Sequence, residues 1–432
     1  MKRTTQHHTM VVAAATSACL ALTGCIGGLG GTGGGFDCTE QSSAFEETSS
    51  QQGLLQESVP TEGPFPMAMV LSTSAVNKML ASVLNQNLPS VSQDVGPITV
   101  TLQPELPTIE IAAVRDCPQC ILSTLGFAVE VDTGILGVIG GSGAASLSLP
   151  VNLAPIDNSK TGLMAMMDQA TFLDLSVEVA GLSTGDIAIV EQALEVLASD
   201  YVREEFGSVE VVQFDSFQLG DDDLFLAARG PVIFPDEGTL VVGLHSNLLL
   251  PQTATIEEQA RLPEGSELGV QLHPELLLST MQRLLGVGII PREYDANGNV
   301  DGRGDHQVTL ETMSSSNDSD KLKTSFRVWR TGGGLCGFAD ISSDMSLRVN
   351  GSFVELEADN FEVNGGEGIG ELLSDAANTW IAGDFMNSLT ENMALTVNYR
   401  ELSQDSEEDL KPQANEVVLD GRGLSVFLNL AD

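Results

Sequence analysis

The sequence predicts an α+β chain of two tandem domains, and three observations carry that prediction. Long stretches alternate apolar and polar residues with a period of two, the mark of strands with one buried face. Shorter stretches carry apolar residues at helical spacing on one side. The order helix, long strands, helix, last strand then occurs twice.

The first copy opens at Met67–Leu71, a short apolar strand. Ser72 follows as a helix cap, and Val76, Met79, Leu80, Val83, Leu84 and Leu88 share a helix face that ends at Pro89. Strands are expected at 98–111, 127–139, 145–153 and 171–182, a second amphipathic helix at 186–202, and further strands at 208–218, 224–228 and 238–248. The second copy opens with a strand and a helix carrying Leu277, Met281, Leu284 and Leu285. It continues with strands at 306–313, 323–330, 344–351 and 352–363, a helix at 369–389 that includes Trp380, and a strand at 423–430. The closing strands share the pattern Leu-x-Val-x-Leu, at Leu240, Val242 and Leu244 and again at Leu424, Val426 and Leu428. Domain limits follow at 65–255 and 256–432.

The N-terminal part reads as an export and attachment segment. Lys2 and Arg3 precede a short apolar run at Met10–Leu22, as in a signal peptide spanning 1–24. Leu22-Thr23-Gly24-Cys25 resembles the lipobox of bacterial lipoproteins. That resemblance implies cleavage before Cys25, a diacylglycerol thioether and an N-acyl chain on it, such as palmitate, and attachment to a membrane. Ile26 in place of aspartate implies the outer membrane, with either face open. Residues 25–64, rich in Gly, Ser, Gln and Glu, read as a flexible tether.

The net charge is −41, from 60 acidic and 19 basic residues, which excludes a nucleic-acid partner because phosphate neutralisation needs the opposite sign. With Cys19 and Cys25 set aside, Cys38, Cys117, Cys120 and Cys336 remain, enough for two disulfides in three connectivities. A 117/120 loop with Cys38 joined to Cys336 is the attractive arrangement, and the sequence leaves the choice open. Cys117-Pro-Gln-Cys120 has thiol-redox spacing, but β-like runs flank it in place of a strand-to-helix junction.

Enzymatic constellations are sparse, and no enzyme is expected. His245, His273 and His306 are far apart with no second ligand at metal spacing. Gly140-Gly141-Ser142-Gly143-Ala144 lacks the last glycine of a nucleophile elbow and reads as a turn between strands. Asp295, Asn297, Asn299 and Asp301 alternate like the first half of a calcium loop. Val300 replaces its glycine and His306 its glutamate, so a polar hairpin loop is the simpler expectation and calcium the alternative.

The repeated order resembles the tubular lipid-binding superfamily, the family of bactericidal/permeability-increasing protein. Ser74 and Asn77 lie near that family's Ser and Asn positions in copy one, and Gly288-Ile289-Ile290 matches its helix exit in copy two. His273-Pro274 departs from it. The resemblance implies two long, curved antiparallel sheets, each wrapped around amphipathic helices, and a lipid or other amphiphile as ligand. The slot would be lined by Val76, Met79, Leu80, Val83, Leu84, Leu277, Met281, Leu284 and Trp380. A surface adhesion scaffold, calcium-stabilised through the 294–306 loop, is the alternative. Oligomeric state is left open.

Overall fold

The alternating segments form strands whose pairings, among the described residues, are all antiparallel. The computed structural model describes residues 38–58, 65–84, 88–96, 98–134, 137–155, 160–182, 184–203, 207–215, 226–251, 261–295, 299–316, 319–332, 336–350, 353–368, 381–390, 411–420 and 423–431. Cys25, Asn297 and Trp380 lie outside them. The fold is mixed α+β, with two curled sheets flanking a third.

The third sheet explains the repeat. In chain order it takes β1 (Met67–Ser72) from the start of copy one, and it is joined there by two strands from the end of that copy. Between them come α2 (Thr73–Val83), which follows the N-terminal helix α1 (Thr39–Ser50), and β2 (Val91–Val95), β3 (Ile98–Pro104), β4 (Thr108–Glu110), β5 (Cys120–Asp132), β6 (Val138–Pro155), β7 (Lys160–Met166), β8 (Thr171–Val179), α3 (Thr184–Tyr201) and β9 (Ser208–Asp215). Copy one closes with β10 (Leu226–Phe234) and β11 (Thr239–Ser246). Copy two runs β12 (Leu268–Leu272), α4 (Pro274–Gly286), β13 (Glu293–Tyr294), β14 (His306–Ser316), β15 (Ser319–Arg330), β16 (Gly337–Asn350), β17 (Phe353–Gly368), a helical stretch at 381–390, β18 (Lys411–Asp420) and β19 (Gly423–Ala431).

The shared sheet has the order β10-β11-β1-β12-β19-β18, which reads the same from either edge once copy one is matched to copy two. Registers repeat as well. Leu240, Val242 and Leu244 face Leu71, Met69 and Met67, while Leu424, Val426 and Leu428 face Leu272, Val270 and Leu268. The copies meet where Met69 pairs with Val270. Three apolar rows therefore cross four strands, through Leu240–Leu71–Leu268–Leu428, Val242–Met69–Val270–Val426 and Leu244–Met67–Leu272–Leu424. All of them point into one hydrophobic core because strand side chains alternate between faces.

This sheet does not separate the two expected tandem domains: Asp37–Asp432 forms one unit, because each copy contributes its opening and closing strands to the same sheet. The tether is corrected. Thr39–Ser50 is helical, with Phe45 buried beside Trp329 at 6.4 Å between ring centroids. Beyond it, Gly53 at φ +57° lies against the Arg283 backbone, where a Cβ would collide. Gln56 then donates from its backbone to Asn247 O at 2.7 Å and from its side chain to Leu248 O at 2.9 Å. Residues 38–56 are thus a strap from β15 past α4 to the end of β11. Cys38 joins Cys336, with Cα atoms 5.3 Å apart, and Cys117 joins Cys120.

The expected 98–111 strand breaks into β3 and β4 around Pro107, and the expected 127–139 strand is a hairpin between β5 and β6. Gly140–Ala144 lies within β6 near its start, not in a turn. A Cβ on Gly143 would enter the Phe127 ring that lies across it, and one on Gly141 would strike Glu178 O. The glycines are there for close packing in a tightly curled sheet, which removes the nucleophile-elbow reading.

Candidate functional site

Each curled sheet turns an apolar face onto a helix. In the first half, β2-β3-β5-β6-β7-β9 carries α2 against β4 and β9, with Val76, Met79 and Leu80 meeting a core that includes Ile109, Ile121, Leu149 and Leu163. A second cluster packs Val190, Leu194 and Ala198 of α3 against Val100, Leu102 and Phe127. In the second half, β13-β14-β15-β16-β17 carries α4 on β14. Leu277, Met281 and Leu284 join Leu310, Phe326, Ile341 and, from 381–390, Phe385, whose ring centroid is 5.1 Å from that of Phe326. Both interiors and the shared sheet form one continuous hydrophobic cluster. Among the described residues no Asp, Glu, Lys or Arg is fully buried.

The helices start at matching points by different chemistry. Ser72 caps α2 by accepting from Ala75 N at 3.1 Å, and His273 caps α4 through Nδ1, accepting from Glu275 N at 3.1 Å. The cap needs a neutral imidazole, and burial lowers the His273 pKa. His306, buried where β14 begins, is lowered by burial and by the Arg330 charge, against the opposing pull of Asp305 and Asp295. Groups with lowered folded pKa contribute stability that is complete above the unfolded value near 6.5 and lost as pH falls below it. Urea midpoints are therefore expected to drop between pH 7.5 and pH 5.5. His273→Ser, which keeps a cap as Ser72 does, is expected to flatten that drop, whereas His273→Ala costs about 1 kcal/mol at pH 7.5.

Asn77 fastens α2 to the sheet. Its Oδ1 accepts from Ile109 N at 2.6 Å, and its Nδ2 donates to Ile109 O at 2.8 Å and Thr73 O at 2.9 Å. Asn77→Ala leaves both Ile109 backbone groups without partners and is expected to cost about 2 kcal/mol in chemical denaturation. Ser74 donates to Glu267, whose carboxylate also takes Lys78 Nζ at 3.0 Å and Leu430 N at 2.9 Å. Burial raises the Glu267 pKa, but these bonds outweigh it and hold the group below the usual carboxylate value. Both family-like positions thus anchor α2, Asn77 within its own half and Ser74 across to the second.

Of the residues expected along a slot, Val76, Leu80, Leu277, Met281 and Leu284 are buried, and Met79 nearly so. Leu84 is partly buried against the same core. Val83 is a correction: at the last position of α2 it is 53% exposed. Asp295 and Asp301, the described aspartates of the expected calcium loop, bond within that loop. Asp295 accepts from Asn299 N at 2.9 Å and from Asn299 Nδ2 at 3.0 Å, and Asp301 accepts from Arg303 N at 3.0 Å, so these carboxylates shape the loop. Among the described residues no group of three or more His, Cys, Asp or Glu is placed to hold a metal.

The sequence reasoning missed two residues. Ser123 stands between Ile121 and Leu125 on the inward row of β5, and Thr324 between Leu322 and Phe326 on that of β15. Both are buried, and neither hydroxyl has a hydrogen-bond partner. The signal was a polar residue at apolar parity in each strand. Each interior therefore holds one unused hydroxyl that can bond to an ester, amide or hydroxyl group. Ser123→Ala and Thr324→Val are each expected to raise the stability of ligand-free protein by about 1 kcal/mol, read from denaturant midpoints.

With the geometry in hand, the chain can be set beside known proteins. No family model and no curated protein matches it. Similar solved structures exist. A lipopolysaccharide binding protein matches with TM-score 0.35 and 14% identity, over 86% of this chain and 99% of the other. P47 from Clostridium botulinum A2 matches with TM-score 0.43 and 12% identity, over 84% and 97% of the two chains. P47 of Clostridium botulinum E1 gives 0.39 and 11%, over 85% and 100%.

Proposed function

We propose that this protein is a non-enzymatic lipoprotein of the outer membrane that binds or transfers a lipid or other amphiphile. The observation that carries the reading is the pair of helix-over-sheet interiors, lined mainly by apolar side chains, with an unpartnered buried hydroxyl in each, Ser123 and Thr324. Burying an acyl chain there offers about 0.8 kcal/mol per methylene, and a hydroxyl orients the polar end of the chain. Acylation of Cys25 would hold the body at a membrane, and several chains on one residue make a stable anchor.

Native mass spectrometry of gently purified protein tests the ligand. A co-purifying apolar molecule is expected. Leu80→Trp and Leu284→Trp, which fill the two interiors, should reduce its occupancy at least about tenfold, while Val83→Trp on the exposed face should not. Purified protein with no ligand, and none taken up from mixed lipid vesicles, would sink the proposal. Radiolabelled palmitate incorporation that disappears in Cys25→Ala tests the anchor separately.

A further inference from the structure

The two disulfides differ in what they hold. Cys38–Cys336 ties residues 298 apart, whereas Cys117–Cys120 spans a separation of 3. Cys120 is the first residue of β5 and only 3% exposed, and its N–H donates to Cys117 O at 3.2 Å. Cys117 lies outside the strand and is half-buried. Before it stand Arg115 and Asp116, with side chains 96% and 91% exposed, and after it the exposed Pro118 and Gln119. Asp116 adopts φ +63° in a tight turn that Cys117 N closes by donating to Val114 O at 3.3 Å. Cys117 thus lies in a loop among exposed residues, and Cys120 is rooted in the sheet.

We propose that Cys117 and Cys120 form a reversible thiol–disulfide exchange site for a dithiol partner. The strand does not depend on the bond. Ile121 and Leu122 pair with Leu149 and Ser148 on one side, Leu122 and Ser123 pair with Glu110 and Ile109 on the other, and Val151 N donates to Gln119 O at 3.0 Å. A thiolate of the partner attacks Cys117 Sγ. The Sγ–Sγ bond breaks, its electron pair leaves on Cys120 Sγ, and that thiolate takes a proton. The partner's second thiol then attacks its own sulfur in the mixed disulfide and expels Cys117 as a thiolate, which is protonated in turn. The dithiol becomes a disulfide, having delivered two electrons and two protons; the reverse sequence reoxidises the pair.

The full chain is treated with graded dithiothreitol, alkylated, and mapped by mass spectrometry. Cys117 and Cys120 are expected to be alkylated at least about tenfold faster than Cys38 and Cys336, with circular dichroism unchanged. With glutathione disulfide as probe, Cys120→Ser should accumulate an adduct on Cys117, and Cys117→Ser should show none on Cys120. A protein dithiol oxidoreductase acting faster than dithiothreitol at equal thiol concentration identifies a protein partner, and parity identifies a small-molecule one. Equal reduction of both disulfides, loss of structure on reduction of the loop, or an unreactive Cys117 in Cys120→Ser would overturn the proposal.

Discussion

Cys38→Ser/Cys336→Ser is expected to lower stability by about 3–6 kcal/mol, the largest effect of any change outside the core. The bond closes a loop across 298 positions, and the chain-entropy relation puts its restriction of the unfolded ensemble at about 6 kcal/mol. Measured losses of native disulfides run lower, at about 2–5 kcal/mol. The native strap keeps other fastenings: Gln52 Nε2 donates to Leu310 O at 2.9 Å, Arg292 donates to Ser49 Oγ at 3.1 Å, and Phe45 stays against Trp329. The folded state of the variant should therefore keep α1 docked but allow it to open locally. Guanidinium denaturation should show the lower midpoint, and limited proteolysis should gain cleavage within Thr39–Ser50. A stability change under about 1 kcal/mol would mean that the unfolded chain is already restricted without the bond.

The strap also shows where sequence reasoning stops. Its composition is that of a tether, rich in Ser, Gln and Glu, and besides Phe45 and the Cys38 bond its fastenings are scattered polar contacts such as those of Ser49, Gln52 and Gln56. A helix that buries a single aromatic side chain carries no periodic stripe, so hydrophobic patterning passes over it. The strands were legible for the opposite reason. Most strands of the two curled sheets bury one face, and a period of two follows from that burial alone.

Partner choice was not legible. The short apolar runs of β1 and β12 announce two strands but not that they pair with each other, because a strand buried on both faces and flanked on both edges looks the same wherever it sits. The repeat suggested two separate bodies, whereas the opening strands of the copies pair through Met69 and Val270. The site was legible to a similar depth. Helical spacing picked out Val76, Leu80, Leu277, Met281 and Leu284, but it also counted Val83, which shares their spacing and yet is exposed where α2 ends. Ser123 and Thr324 went unnoticed because a hydroxyl at an inward position resembles an ordinary polar residue until its lack of a partner is seen.

Val270→Pro is expected to split the thermal unfolding of the protein into two transitions. Val270 lies on β12 between Met69 of β1 and Val426 of β19, fully buried and at the point where the two copies meet. Proline removes a ladder N–H and leaves a carbonyl without its partner in the core, at roughly 1–3 kcal/mol. Its ring also constrains the preceding residue, Gly269, over which Leu262 and Phe427 are packed. A total of about 4 kcal/mol or more then falls on the one strand pairing that joins the halves within the shared sheet. Each half keeps its own curled sheet and helices, so scanning calorimetry should show the loss as decoupling: an early transition and a later one in place of a single peak. Val270→Ala, which trims the side chain at about 2 kcal/mol but keeps every backbone bond, should lower the melting temperature and leave one peak. A single transition in Val270→Pro would show that the strap and the Lys78–Glu267 link carry the coupling between halves, and that the paired opening strands do not.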